Sequence, residues 1–504
     1  MKQRRLTRKR AHALARATAT LVARVTELEG ELPFAQPPTL ADVRAALPDA
    51  DLNTMHLPWP GGGGFGLAFV ETLTDTQRLW TEVVKPITSG DLRPLPFPQA
   101  QRVRTPHNLQ HRLLAGWAVV LPPAGPPMAY DVQGLQQRPV GEPTTEQQII
   151  GPKEAFVENL DTNVGLIRNR LRDPALRIQY FTVGRRSRTR VALVYLADVA
   201  RPELVERVRA GLERIAVDFI RTAMDVAELT FQHGWTIFPL VEQSERPDRA
   251  TQGLSDGRLA LVVEGAPFVI LVPVTFSDFQ QDGESALPGP AVTLFIRLLR
   301  LCGLFLALAL PGLYVAVLAT DPLILPVPLA ITLASARLAI PYPVATETVL
   351  MLFVADILAE ANAQAGAAIG NALSIVGTLI VGQLMVQAHL ASTLLMIVVA
   401  ASIMGSFLTL KFQLSYGIRL GKYVLVLLAA IGGLLGWFTG ILILLVHMAT
   451  LESAGVPYLA PLAAARSPAA VAQMLVQRGK AAAQRRPRQY RPRQIKAARR
   501  GGRR

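Results

Sequence analysis

Leu298–Ala319 reads LLRLCGLFLALALPGLYVAVLA, an apolar run broken by a single charge, Arg300. Two more runs of this kind follow, Ala391–Leu410 and Val424–His447, and Ala367–Ala388 is a fourth, more polar and rich in glycine. A helix crossing a bilayer needs about 20 mainly apolar residues, so these stretches predict a transmembrane helical bundle. Two further stretches read ambiguously. Leu323–Ile340 contains Pro326, Pro328 and Arg337 and reads as a broken or re-entrant helix, and Thr346–Asn362 carries Glu347, Asp356 and Glu360.

Upstream of about residue 290 the charge is dense and mixed in sign. Gly66–Val70 and Ala118–Leu121 read as strands, Asp75–Val84 and Asn108–Leu114 as helices. Ala155–Leu171 and Pro202–Leu229 have helical spacing, Ile178–Val183 and Thr189–Leu196 are β-rich, and Leu259–Val263 with Phe268–Val272 predicts a hairpin. Strands alternating with helices point to compact α/β folding. The expected plan is multidomain: a soluble α/β N-terminal region of two small α/β subdomains, then an all-α polytopic transmembrane bundle. Its boundaries fall at 1–48 (basic helix and linker), 49–125, 126–290, 291–460 (transmembrane) and 461–504 (basic tail).

The net charge of +15 is carried largely by the ends. Residues 1–10 hold Lys2, Arg4, Arg5, Arg8, Lys9 and Arg10 with no acid, and the tail from Arg466 is equally one-sided. Beside a membrane domain such tails suit anionic lipid headgroups; no nucleic-acid-binding motif accompanies the charge, so nucleic acid is not an expected partner. The start lacks the continuous apolar segment of a secretory signal, which places the soluble half in the cytoplasm. Both ends there require four or six crossings. Either number leaves the basic stretch Lys411, Arg419 and Lys422 outside, against the positive-inside rule.

Enzyme motifs are mostly missing. Gly61–Gly66 precedes a strand instead of following one and has no P-loop lysine. The single cysteine, Cys302, and the spacing of the histidines offer no metal site, and no cofactor is expected. The basic turn with Arg185, Arg186 and Arg188 could meet a phosphate or a partner's carboxylates, or be a plain hairpin tip or intersubunit contact. In Ala367–Ala388, at 100° per residue, Asn371, Ser374, Thr378, Gly382 and His389 share one face and Gly366, Gly370 and Gly377 another. The first face reads as a water or ion path, or as hydrogen bonding between helices; the second allows close packing. Repeated around an oligomer, Glu347, Asp356 and Glu360 would favour cations, with pairing to Arg337 inside one subunit as the alternative.

Several ordered motifs together resemble the A-subunit family of GerA-type spore germination receptors, including SpoVAF-type paralogues. They are Gly151–Phe156 with Asn163, Arg168, Arg170 and Leu171; Val183–Thr189; Ser244-Glu245-Arg246-Pro247-Asp248; and Glu264–Phe268 with Val272-Pro273. Pro311–Ala316, Arg337, Pro341-Tyr342-Pro343 with Glu347, Ser374–Gly377, Val381–Gln383 and Gly455–Pro461 continue the series. Two segments depart from it, Gln281–Glu284 and Ala359–Gly366, where the family carries an acidic-aromatic and a basic motif. The resemblance implies a non-enzymatic subunit in the spore inner membrane that forms a homo-oligomer, a pentamer, and conducts monovalent cations. It implies partners of two kinds: a B-type transporter-like and a C-type lipoprotein subunit, or SpoVA-type proteins. Glu245, Arg246 and Asp248 join the three arginines as interface candidates. A non-conducting scaffold and a secondary transporter are the rival readings.

Overall fold

The computed structural model describes residues 34, 37–49, 51–59, 63–90, 100–123, 125–134, 143, 146, 152–231, 235–280, 289–320, 322–364, 382–408, 412–460, 486, 490 and 492–494. The chain divides into two compact units: Met1–Phe231 with Gln243–Leu271 and Pro492–Gln494, and Gln232–Glu242 with Val272–Arg491 and Ile495–Arg504.

The first unit is mixed α/β and contains two five-stranded sheets. The first sheet runs β1 (Leu52–Pro58), β2 (Gly64–Val70), β4 (Trp117–Leu121), β5 (Met128–Asp131), β3 (Gln101–Arg102), with antiparallel pairing throughout. Alternate residues of a strand face opposite ways. Ala68 and Val70 therefore meet Val43 and Leu47, beside α1 (Leu40–Ala46), and Leu109 of α3 (Pro106–Leu114). Leu67 and Phe69 meet Leu79, Val83 and Ile87 of α2 (residues 76–89, π-helical over Leu79–Val84). The boundaries expected at 48/49 and 125/126 have α1 and β5 on their far sides. Helix α1, capped by Thr39, buries Val43 in this core, and β5 completes the sheet.

The second sheet runs β6 (Leu176–Val183), β7 (Thr189–Leu196), β9 (Leu259–Val263), β10 (Val269–Val272), β8 (Glu242–Ser244). One face packs on α4 (Leu160–Arg170) and α7 (Pro247–Ser255). Two expected helices are shorter. Helix α4 starts at Leu160 because the Asn159 side chain accepts from Thr162 N and caps it, while Phe156 N donates to Glu245 O. The long helix over 202–229 is two, α5 (Pro202–Glu213) and α6 (Ala223–Phe231). Between them, Val217 O and Asp218 O accept the amides of Arg185, Arg186 and Ser187, and Asp225 accepts from Arg221 N and Thr222 N ahead of α6. Near the C-terminus, Arg493 N donates to Val199 O at 2.9 Å, so this part of the basic tail is docked on protein.

The second unit is helical: α8 (Gly289–Leu308), α9 (Leu310–Ala319), α10 (Val327–Ser335), α11 (Val344–Gln364), a helical stretch over 382–387, α12 (Thr393–Phe407) and α13 (Phe412–Thr450). Ala291–Leu308 and Gln413–Thr450 are long and apolar enough to cross a membrane, and α9 and α12 are shorter apolar helices. The run Leu298–Ala319 is not one helix. Pro311 lacks the N–H to continue the ladder, and Trp437 Nε1 donates to Ala309 O at the break. The expected span Ala391–Leu410 narrows to α12, whose start is capped by Ser392.

The larger correction concerns Val424–His447. Gly432 and Gly433 have non-helical dihedrals, Gly433 at φ 56 and ψ −140. A Cβ on Gly436 would stand 2.0 Å from Leu428 O, and one on Gly440 2.7 Å from Leu425 Cδ2. Residues equidistant from the glycine pair therefore touch, and α13 is an antiparallel hairpin of arms 412–431 and 434–450. Each arm is about 25–30 Å long, close to the thickness of a hydrocarbon core. Helices α8 and α12 also approach backbone to backbone, with a Cβ on Gly405 placed 2.4 Å from Gly303 O.

Candidate functional site

The helical unit concentrates its charges in two clusters. In the first, Arg337 follows α10 and reaches across Pro341-Tyr342-Pro343 to the start of α11. Its Nη2 lies 3.0 Å from Glu347 Oε2 and donates to Tyr342 O at 3.3 Å. Glu347 is fully buried, and its Oε1 accepts from Ser392 N at 2.6 Å. The Ser392 hydroxyl caps α12 through Leu395 N and sits 3.2 Å from Tyr314 Oη. A carboxylate at a helix N-terminus also satisfies the helix dipole. One acid therefore ties α9, α11 and α12 together, with Arg337 as its counter-charge.

In the second cluster, Asp356 of α11 accepts from Lys422 Nζ at 2.9 Å and Tyr423 Oη at 2.6 Å, both on the first arm of α13. One turn along, Glu360 lies 3.8 Å from Arg419. Arg419 and Lys422 are thus helical and paired with acids, not loop charges; Lys411 lies outside the described residues. All three carboxylates named from the sequence face cations of the same chain. Ser392 and Tyr423 were missed, and so were the contacts made by Lys422 and Tyr314. The four-residue step Asp356 to Glu360 against the three-residue step Arg419 to Lys422 was the signal for antiparallel pairing.

Beside these clusters lies a cavity of about 250 Å³ between α11, α12 and Gly382. Gly382 is the stripe residue found there. His389 is exposed and leaves the stripe. The helix ends at 387, Leu390 N donates to Met385 O, and His389 takes the left-handed position (φ 55) of a Schellman-type cap. Asn371, Ser374, Thr378, Gly366, Gly370 and Gly377 lie outside the described residues. Among the described residues no His, Cys, Asp and Glu group is placed to hold a metal.

In the mixed unit, Arg185, Arg186 and Arg188 are exposed on the β6–β7 turn, whose amides are occupied by the 217–218 carbonyls. Glu245 and Arg246 are instead buried in the protomer, with Arg246 paired to the half-buried Asp248, so these two do not present charge at its surface. Sequence reading also missed the role of Arg168. This arginine is fully buried between Asp49 and Asp51, at 2.7 Å from Asp51, whose other oxygen accepts from Thr72 Oγ1 at 2.7 Å. Burial pushes the Asp51 carboxyl up, against the pull of Arg168 and with the like charge of Asp49 adding to it.

A mixed α/β unit and a unit of apolar helices with buried ion pairs mark a membrane-associated chain. The chain belongs to the family described as Bacillus/Clostridium GerA spore germination protein, which matches residues 48–489. Spore germination protein KA of Bacillus subtilis (strain 168) is 34% identical over 331 residues, 66% of this chain and 61% of that protein. Spore germination protein B1 of the same organism is 28% identical over 410 residues, 79% of this chain and 85% of that protein. A protein of that organism described as uncharacterized membrane protein YfkQ is 33% identical over 329 residues, 65% of this chain and 64% of that protein. The N-terminal domain of the A subunit of the Bacillus megaterium spore germinant receptor GerK3 overlays at a TM-score of 0.37 and 19% identity, covering 49% of this chain and 99% of that one.

Proposed function

We propose that this chain is the A-type subunit of a spore germination complex, several copies of which assemble in the spore inner membrane and conduct monovalent cations on a germination signal. The family match carries the reading, because it takes in most of both units. Ionisable groups among apolar helices are costly and mark ion paths or internal clamps. The path is assigned to the segment of Asn371, Ser374, Thr378 and Gly382, and the partners are B-type and C-type subunits or SpoVA-type proteins. The basic termini hold anionic lipid. In vesicles the purified protein should pass K⁺ or Na⁺, and it should be oligomeric in mild detergent.

One observation favours a second reading, a non-conducting scaffold that docks other germination proteins. Glu347, Asp356 and Glu360 each face a cation of their own chain, which suits clamps better than a cation-attracting ring. A monomer or dimer without flux would favour it.

A further inference from the structure

The tip of the β6–β7 turn and the loop between α5 and α6 are built together. Arg185 N donates to Val217 O at 2.8 Å, Arg186 N and Ser187 N donate to Asp218 O at 2.9 and 3.1 Å, and Ile220 N donates to Ser187 Oγ at 3.3 Å. Gly184 sits at φ +84, and a Cβ there would stand 2.2 Å from Ser187 Oγ and 3.5 Å from Ile220 Cγ1. Turn and loop thus form one platform, with Ile220 buried in it. Phe219 beside it is instead 64% exposed. The charge around this ring is one-sided. Arg186 and Arg221 lie 3.7 and 3.5 Å from Asp218 and Asp225, while Arg185 and Arg188 are exposed with no ion-pair partner among the described residues. Arg188 takes φ 47, a left-handed value that glycine holds more cheaply, so backbone strain is borne at a residue whose guanidinium is free.

A phenyl ring in water and a cluster of like charges are both unfavourable, and a partner that is apolar and anionic at once relieves both. An anionic bilayer has that composition: phosphates that match the planar guanidinium fork, and an acyl boundary that takes the ring. Each arginine near such a surface favours contact about fivefold, so the two unpaired ones together give about 25-fold. That is too little to hold a free protein on a membrane. It is enough to bias a unit whose own chain has apolar helices in the bilayer, because tethering makes the contact intramolecular. We propose that this platform docks on an anionic bilayer surface, with Arg185 and Arg188 on headgroup phosphates and Phe219 at the acyl boundary. Arg186 and Arg221, shared with acids, contribute less. The contact requires neither conduction nor oligomerisation and uses none of the terminal basic residues, so its test can fail while the proposed function stands.

The test uses the full chain with Cys302→Ser and Phe219→Cys, a bimane fluorophore on the new thiol standing in for the ring, in nanodiscs of phosphatidylcholine with or without phosphatidylglycerol. With phosphatidylglycerol, lipids brominated on the acyl chain should quench the bimane. Quenching should fall away in pure phosphatidylcholine and in about 0.5 M salt, where the Debye length is about 4 Å. Adding Arg185→Gln and Arg188→Gln should lower the docked-to-free ratio about 25-fold. Arg188→Gly, which relieves the backbone, should lower it about fivefold without lowering the melting temperature, which separates loss of contact from loss of fold. The same label at Thr81→Cys, exposed on α2, should stay unquenched. Quenching that is absent with phosphatidylglycerol, survives salt and neutral lipid, is matched at residue 81 or is unchanged in the arginine variants would overturn the proposal. So would a bimane shielded from acrylamide yet untouched by brominated lipid, which marks a protein partner on the platform.

Discussion

Arg168 illustrates how a buried charge is held. Two carboxylates pair with it inside the mixed unit, Thr72 Oγ1 donates to Asp51, and Asp49 also accepts from Ile178 N at 3.1 Å. Removing one member of such a cluster strands the others, at a cost of about 3–5 kcal/mol. Arg168→Ala should destabilise the unit by that amount near neutral pH. The sign with pH follows from Asp51, whose folded pKa stands above its unfolded value. Stability from that group is fully present below the unfolded pKa and lost as pH rises through the folded one. Without Arg168 the folded pKa climbs further, so the gap between variant and parent in thermal melts should narrow from pH 7 to pH 5. A gap independent of pH would contradict this account. In the helical unit the same reasoning ranks two acids. Glu347→Gln removes a fully buried charge opposite Arg337 and should cost several kcal/mol, whereas Glu360→Gln, part-exposed and 3.8 Å from its partner, should cost about 0–1 kcal/mol. Equal losses in chemical denaturation would show that burial does not set the difference.

At the scale of the element, the α13 hairpin is the sharpest departure from the sequence reading. Hydropathy cannot see the turn, because Gly432 and Gly433 sit inside a run that is apolar on both sides. Only the dihedrals at Gly433, open to glycine and hardly to other residues, reverse the chain. Gly433→Ala should therefore cost about 1–3 kcal/mol, while Gly432→Ala, at φ −121 with nothing within 4 Å of its Cβ, should cost well under 1 kcal/mol. A cysteine pair at Leu425 and Gly440, with Cys302 replaced by Ser, should join through a short cross-linker; in a straight helix those positions stand about 22 Å apart and would not. The strands were legible because runs rich in β-branched and apolar residues, such as Thr189–Leu196 with Val191–Val194 buried on both faces, stand out between turns. Helix ends were less so. The stop after Glu213 depends on carbonyls recruited by the 185–187 amides, a contact made by residues distant in sequence. For the candidate site, the acids were visible and their partners were not, since Lys422 and Tyr423 come to Asp356 only through the packing of α13 on α11.

Across the whole molecule, two unlike units interleave along a single chain, and the family match extends through both. The basic tail, expected to be solvated near headgroups, is in part docked: Arg493 bonds to Val199 O and Ala197 O, and Pro492 lies 3.1 Å from where a Gly257 Cβ would stand. Ending the chain at residue 489 should raise hydrogen exchange around residues 197–200 and 254–258 without changing it in β2 or β4. The central claim concerns conduction, and ion flux through the reconstituted protein tests it most directly. The account predicts K⁺ or Na⁺ release from vesicles carrying the full chain, reduced by Ser374→Leu or Thr378→Leu. Release no faster than from protein-free vesicles, with the protein folded and oligomeric in the bilayer, would contradict it.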